Sequence, residues 1–286
     1  MKRNSLLLLS LLLVACAVSN PPASAPSGLT FVHLNDTYRV GAVEDGEKGG
    51  FGRVVTVIRE LQAAGKDVRI LHGGDFLNPS LESQLWSGQQ MVEAFNFMDA
   101  LAPMYVVAGN HEFDWRTPEH LIEAVRESRF DWLGDNYQFE TGDTATDDAL
   151  HHAFTIQYGD KTVGIFSVIA HEDHGGNDRA YAPIDKDYLG VAEKVIEHFE
   201  SIGVDAIIGL THLYVRHDLE LARLRARHPK FVFVAGGHDH EPQFSPLSSD
   251  SAAVMKGASN ARVIWIIDLD FDAAGLPIIA AQRRDL

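Results

Sequence analysis

From Leu29 onward the apolar positions switch repeatedly between two spacings. The short β-rich runs "LTFVHLND", "DVRILHGGD" and "MYVVAGN" read as strands. Between them, "GFGRVVTVIRELQAAG" and "QQMVEAFNFMDAL" carry apolar residues at helical spacing, and Gly65 closes the first. A third helix is expected from Thr117, an N-cap ahead of Pro118. "DWLGDN" reads as a short fourth strand, and Gly159-Asp160 as the turn of a hairpin within "HHAFTIQYGDKTVGIFSVIA". A helix from Val191 to Ser201, the strand "DAIIGLTH", a further helix and "KFVFVAGGHDH" follow. The tail, "AAVMKGAS", "ARVIWIIDLDFD" and "LPIIAAQRR", reads as consecutive antiparallel strands. Alternating strands and helices with a strand-rich end predict an α/β protein of two sheets packed face to face, helices outside.

Ahead of this pattern the chain behaves differently. Lys2 and Arg3 precede an apolar stretch from Leu6 to Ala15, too short to span a bilayer and suited to a secretory signal. It ends in "LVAC", which is similar to a bacterial lipobox, and Cys16 is the only cysteine of the chain. Residues 1–16 are therefore expected to direct secretion, with Cys16 lipidated at the periplasmic face of a bacterial membrane or at the cell surface. No cysteine then remains for a disulfide. Residues 17–27, rich in proline and small polar residues, read as a tether, leaving 28–286 as the folded domain. The formal charge of −16 argues against a nucleic-acid polymer as partner.

The unusual residues recur at one kind of place. Asp36 and Tyr38 close the first strand, Asp75 the second, Asn110 and His111 the third. His212 closes "IIGLTH", and His238 and His240 close "VAGGHDH". Ligands of open α/β sheets sit at the carboxyl ends of strands. One histidine at such an end is usually a hydrogen-bonded core residue, but five ends delivering carboxylates, an amide and imidazoles to one edge suit hard and borderline metal ions.

These blocks resemble the calcineurin-like metallophosphoesterases, whose pattern is D-x-H, G-D, G-N-H-[DE], a lone His, then G-H-x-H. "GNHEFD", "GGFGR" and "LTH" narrow the resemblance to the catalytic domain of bacterial 5′-nucleotidases, over roughly Gly28 to the C-terminus. It implies a four-layer αββα fold and two divalent ions (Mn, Zn or Fe), one held by Asp36, Asp75 and His240. The other would take Asp75, Asn110, His212 and His238, with Asp75 bridging. The implied activity is hydrolysis of phosphate monoesters, nucleotides in particular, by a dimetal-bridging hydroxide. His238 and His240, two apart, would point the same way in extended chain, and the adjacent Asn110 and His111 to different sides. His111 would then face the substrate's leaving oxygen with Asp114 orienting its ring, and Glu112 would be solvated or support a ligand. Arg179, in a loop from His171 to Tyr181 expected to hang over the site, and Asn78 are candidate substrate contacts; Ser80 is a weaker one.

Two departures leave alternatives open. The chain writes Asp36-Thr37-Tyr38 where the family writes D-x-H, and His33 lies on the opposite face of the strand. Tyr38 could ligate as phenolate, stand aside for water, or mark a weakened site; the second reading is preferred. The 5′-nucleotidases also carry a C-terminal domain that stacks the base; no segment after the catalytic strands is expected to supply it here. A non-catalytic metal- or nucleotide-binding surface lipoprotein and a phosphodiesterase or thiosulfate-ester hydrolase are the rivals. On the preferred reading, Tyr38→His leaves activity intact or tightens metal binding. A visible charge-transfer band that vanishes in Tyr38→Phe would instead identify a phenolate ligand.

Overall fold

The computed structural model describes residues 28–170 and 179–286. The leader, Cys16, the tether and residues 171–178 of the loop expected above the site lie outside them. The first half runs β1 (Leu29–Leu34), α1 (Phe51–Ala63), β2 (Asp67–His72), α2 (Leu81–Trp86), α3 (Gln89–Asp99), β3 (Met104–Val107), α4 (Glu119–Glu127), β4 (Asp131–Leu133), α5 (Thr144–Asp147) and β5 (Leu150–His151). The second half runs β6 (Phe154–Tyr158), β7 (Lys161–Ile169), α6 (Tyr188–Ser201), β8 (Ala206–His212), α7 (Val215–Ala222), β9 (Phe231–Gly236), β10 (Gln243–Ser245), β11 (Ala253–Lys256), β12 (Val263–Phe271) and β13 (Pro277–Asp285).

The strands form two sheets, ordered β13-β12-β1-β2-β3-β4-β5 and β10-β11-β9-β8-β7-β6. In each, the central strands run parallel, so their carboxyl ends share one edge. Period-two alternation explains the layering. Ile165, Ile208, Phe233 and Met255 join the core shared with the first sheet, where the Phe31 and Phe233 rings meet at 5.6 Å. Their neighbours Phe166, Ile207, Val234 and Val254 pack with Ile196 and Phe199 of α6 and Leu221 of α7. On the other flank α1 buries Phe51, Val54, Val57 and Ile58, the stripe that its helical spacing places on one face. The result is two mixed sheets between helices, the α/β architecture expected.

Two local expectations are corrected. The tail is not one antiparallel run: β11 lies in the second sheet, parallel to β9 and antiparallel to β10. The chain then crosses over, and β12 pairs antiparallel with β1 and β13 in the first sheet. The crossing is made at Asn260 and Ala261, both at positive φ (56° and 57°). Helix α4 starts at Glu119 with Pro118 in the cap position, so Thr117 is not its N-cap. Short α2 and α5 were not legible as helices. The Gly159-Asp160 turn does join β6 to β7, with Tyr158 opposite Lys161.

Polar groups stitch the two sheets together near the carboxyl edge. The buried His33 ring on β1 reaches the Gly236 carbonyl of β9 at 3.0 Å. Asn35 Oδ1 accepts the Gly257 amide at 2.7 Å, and Asp36 Oδ2 the His238 amide at 2.8 Å. His72, fully buried, meets the Thr37 hydroxyl at 2.8 Å and accepts the Gly74 amide at 3.2 Å. Burial disfavours the charged imidazole and lowers the pKa to about 4 for His33 and about 3 for His72.

Both rings are thus neutral in the fold yet protonate in the unfolded chain below about pH 6.5. Each contributes stability that is fully present above that pH and is lost as pH falls toward the folded-state value. In chelator-treated protein, His72→Gln is expected to flatten the pH dependence of the urea-unfolding free energy between about pH 4.5 and 6.5. The change in slope should be up to about 1.4 kcal/mol per pH unit, one proton's worth; an unchanged slope means that His72 is charged in the fold.

Candidate metal centre

The donors gather in the gap between the two carboxyl edges, carried by the turns that follow the strands. Three of those turns place a ligand-bearing residue in the left-handed region: Asp36 at φ 52°, Asp75 at 62° and His238 at 78°. Each such residue costs about 1–3 kcal/mol and survives only where its surroundings fix it. Asp36 is fixed by its amide on the Gly74 carbonyl at 3.0 Å, and Asp75 by its amide on Glu112 Oε2 at 2.9 Å. Close backbone approach makes room for the side chains. A Cβ on Gly237 would collide with the Gly73 carbonyl, and one on Gly74 would stand 2.7 Å from His212 Nδ1.

Two donor groups share one carboxylate. Ligand atoms of Asp75, His212 and His238 lie within 4.8 Å of one another, as do those of Asp36, Asp75 and His240. Asn110 Oδ1 joins the first group, 3.2 Å from His212 Nε2 and 3.1 Å from His238 Nδ1, the two nitrogens themselves 3.2 Å apart. In the second group His240 Nε2 is 3.3 Å from Asp36 Oδ1. The Tyr38 hydroxyl lies 3.0 Å from His240 Nε2, 3.2 Å from Asp75 Oδ2 and 3.3 Å from Asp36 Oδ1. The Tyr38 oxygen thus lies among the side chains of this group rather than apart from them.

The donor chemistry fits cations. His212 Nδ1 faces the Gly73 carbonyl at 2.6 Å, which fixes a proton there and leaves Nε2 as the nitrogen that faces Asn110 Oδ1 and Asp75. Burial alone would lower the pKa of His212, but Asp75, with Asp36 behind it, pushes it up to about 10. Burial likewise opposes the charge of Asp36; the hydrogen bond with His240, the charge of His212 and the Asn35 amide outweigh it and hold the pKa well below the usual range. His240 is raised by its hydrogen bond to Asp36. The same carboxylate field that holds protons on these imidazoles attracts a divalent ion, which must displace those protons to bind the nitrogens. For Tyr38, burial and then the charges of Asp75 and Asp36 push the phenol pKa up, so these groups by themselves favour the neutral hydroxyl.

Beside the donors stands His111. A 3-10 turn, Asn110–Phe113, separates the two neighbours, directing Asn110 to His212 and His238 and His111 to Asp114 and Asp75. His111 Nδ1 meets Asp114 Oδ2 at 2.8 Å, and its Nε2 lies 3.9 Å from Asp75 Oδ2. Burial works against the imidazolium, but the hydrogen bond to Asp114 and the charge of Asp75 raise the pKa above its ordinary value. Asn78 Nδ2 donates to the same Asp114 oxygen at 2.5 Å. Arg179 donates to the carbonyls of Phe113 and Asp114 at 2.9 and 3.0 Å, so its guanidinium braces the turn that carries His111. Ser80 caps α2.

All six metal-ligand candidates are brought together. The premise of an extended "GHDH" is corrected: His238 is left-handed, and the two imidazoles reach separate donor groups through a bend. Of the two roles expected of Glu112, solvated or supporting a ligand, the structure shows the second, since it holds the amide of Asp75. Fully buried, it accepts the amides of Asp75, Phe76, Leu77 and Gly109 at 2.5–3.0 Å, joining the second and third turns. Asn35, which bonds Asp36 and the Gly257 amide, was missed. So was Lys256, whose only signal was a lone charge inside an apolar strand.

Comparison with known proteins places the chain in a family. Residues 29–242 match the calcineurin-like phosphoesterase family. A human (Homo sapiens) 5′-nucleotidase is 27% identical over 242 residues, covering 80% of this chain and 41% of that protein. A bovine (Bos taurus) 5′-nucleotidase is 26% identical over 231 residues, 77% of this chain and 39% of that protein. The chain thus spans about four-tenths of the length of these curated relatives. The crystal structure of a 5′-nucleotidase precursor from Thermus thermophilus shares the fold with a TM-score of 0.75 at 23% identity, covering 90% of this chain and 54% of that one. The matched span holds Asp36, Asp75, Asn110, His111, His212, His238 and His240, and the chain belongs to the calcineurin-like phosphoesterase family.

Proposed function

We propose that this protein hydrolyses phosphate monoesters, nucleotides foremost, with two divalent ions. The observation that carries the reading is the pair of donor groups sharing Asp75 with the His111 imidazole beside them. Asp36, Asp75 and His240 would hold one ion, and Asp75, Asn110, His212 and His238 the other. Bound there, the ions supply positive charge against the phosphoryl oxygens and lower the pKa of a water to make it nucleophilic near neutral pH. Nucleotides are preferred because the human and bovine relatives are named 5′-nucleotidases.

The chain's own groups do the rest. With Nδ1 on Asp114, the imidazolium of His111 directs its Nε2 proton into the site, where the departing ester oxygen can take it. Asn78 and Arg179 hold Asp114 and its turn, so the ring keeps one orientation. The surplus of carboxylates on the floor repels an anionic substrate unless cations are present. Turnover should therefore cease on chelation.

Several outcomes test this. The purified protein with Mn²⁺ should release phosphate from AMP and from p-nitrophenyl phosphate, faster than from the diester bis-p-nitrophenyl phosphate. His111→Ala should lower kcat about 10²–10⁴-fold while keeping its metal content. Asp75→Asn should reduce metal from near two ions per chain. Inert wild-type protein carrying its ions, tested with Mn²⁺, Zn²⁺ and Fe²⁺, would favour the binding-protein reading; preference for the diester or for a thiosulfate ester would reassign the substrate.

We further propose export and lipid attachment at Cys16, supported by the "LVAC" leader pattern alone. Radiolabelled palmitate should mark the protein expressed in bacteria, and Cys16→Ser should abolish the label. A labelled Cys16→Ser protein overturns this.

A further inference from the structure

Next to the centre lies an ion cluster that the chemistry above does not use. Lys256 at the end of β11 and Asp218 in α7 are both fully buried. Lys256 Nζ stands 2.8 Å from Asp218 Oδ2 and 2.5 Å from Asp239 Oδ2. It also donates to the carbonyls of Leu213 and of Gly237, the latter at 2.7 Å. An ammonium removed from water is costly, and a pair of apolar residues would often serve the core as well. What distinguishes this cluster is where its contacts fall.

Leu213 follows His212, Gly237 precedes His238, and Asp239 lies between His238 and His240. One ammonium therefore grips the backbone or side chain next to each of the three imidazoles. The two carboxylates extend the grip. Asp218 Oδ1 accepts the Thr211 hydroxyl at 2.7 Å, one residue before His212, and Asp239 Oδ2 accepts the Val215 amide at 2.7 Å, at the start of α7. The Gly237 carbonyl belongs to the peptide that enters left-handed His238, so fixing its orientation fixes that turn.

We propose that Lys256, with Asp218 and Asp239, is the positioning device of the metal centre, setting the directions in which His212, His238 and His240 present their nitrogens. It acts through the histidines and touches neither ion nor substrate. The inference rests on the two-ion reading of the site. A carbonyl or carboxylate that orients a metal-ligating imidazole typically matters about 10–100-fold in metal affinity, and Lys256 controls three such ligands at once.

The test is calorimetric titration of chelator-stripped protein with Mn²⁺, with circular dichroism reporting the apo fold. Lys256→Met removes the ammonium; Asp239→Ala, at a partly exposed side chain, frees both Lys256 and Val215 and serves if the first variant does not fold. The expected result is a native apo spectrum with Mn²⁺ affinity weakened at least about tenfold. A folded variant of either kind that binds Mn²⁺ within about twofold of wild type, whatever its loss of thermal stability, shows a core ion pair only and overturns the inference. Wild-type protein that binds no Mn²⁺ overturns this inference and the two-ion reading together.

Discussion

Everything at this centre depends on how closely two sheet edges approach each other. The Gly73–Gly74 turn of the first sheet and the Gly236–Gly237 turn of the second meet backbone to backbone, with no room for a Cβ at Gly237. That contact brings Asp36, Asp75 and Asn110 from one sheet within reach of His212, His238 and His240 from the other. A parallel sheet alone can align ligands along one edge; facing edges surround a point. The His212 ring on the Gly73 carbonyl and the Asp36 carboxylate on the His238 amide then lock the two halves in register.

Such an arrangement gathers unfavourable terms, and the surrounding structure offsets them locally. Three left-handed non-glycine residues, buried carboxylates and facing imidazoles are each costly alone. Glu112 shows how the cost is met. Its carboxylate collects four amides from two turns, so backbone donors that the turns leave without ladder partners are satisfied by one side chain. Burial followed by the charge of nearby Asp75 raises its pKa, a sign that this anchor is held under electrostatic tension with the floor of the site. On the second sheet the Lys256 ammonium performs the corresponding task with opposite charge, donating to carbonyls where Glu112 accepts amides.

Strand ends and their polar residues were legible because both follow from local pattern: an apolar run, a glycine, then a donor. The identity of the six metal-ligand candidates needed only that regularity together with the family's ordered blocks. What remained hidden depends on distances between segments far apart in sequence. Beside a ligand, Glu112 reads as either a solvated acid or a supporting one, and nothing local shows that four amides converge on it. The transfer of β12 to the first sheet is invisible because "AAVMKGAS" and "ARVIWIIDLDFD" are equally apolar whichever sheet they join. The left-handed turn at His238 defeated the assumption of extended chain: strand periodicity ends at Gly236, two residues before the first ligand of that block.

The two donor groups differ in stiffness, and the difference follows from burial. His212 and Asp75 are almost completely enclosed and Asn110 nearly so, and His212 is pinned through its other nitrogen. The group around Asp36 has a buried carboxylate at its floor but an imidazole at its rim, His240, whose side chain is 51% exposed. Its remaining oxygen comes from Tyr38, where the family has histidine. A phenol that burial and neighbouring carboxylates keep neutral donates its proton to a carboxylate or imidazole, as its three short contacts show. It thereby occupies lone pairs that a cation would need, whereas a histidine there would offer one more. Proton and metal compete for the same oxygens in this group, while in the other they compete for His212 Nε2, which the Gly73 carbonyl, holding the Nδ1 proton, keeps facing the site. The substitution therefore makes the centre unequal in its donors: a rigid, enclosed half carried by His212, and a softer half whose hold on an ion is set by what becomes of the Tyr38 hydroxyl.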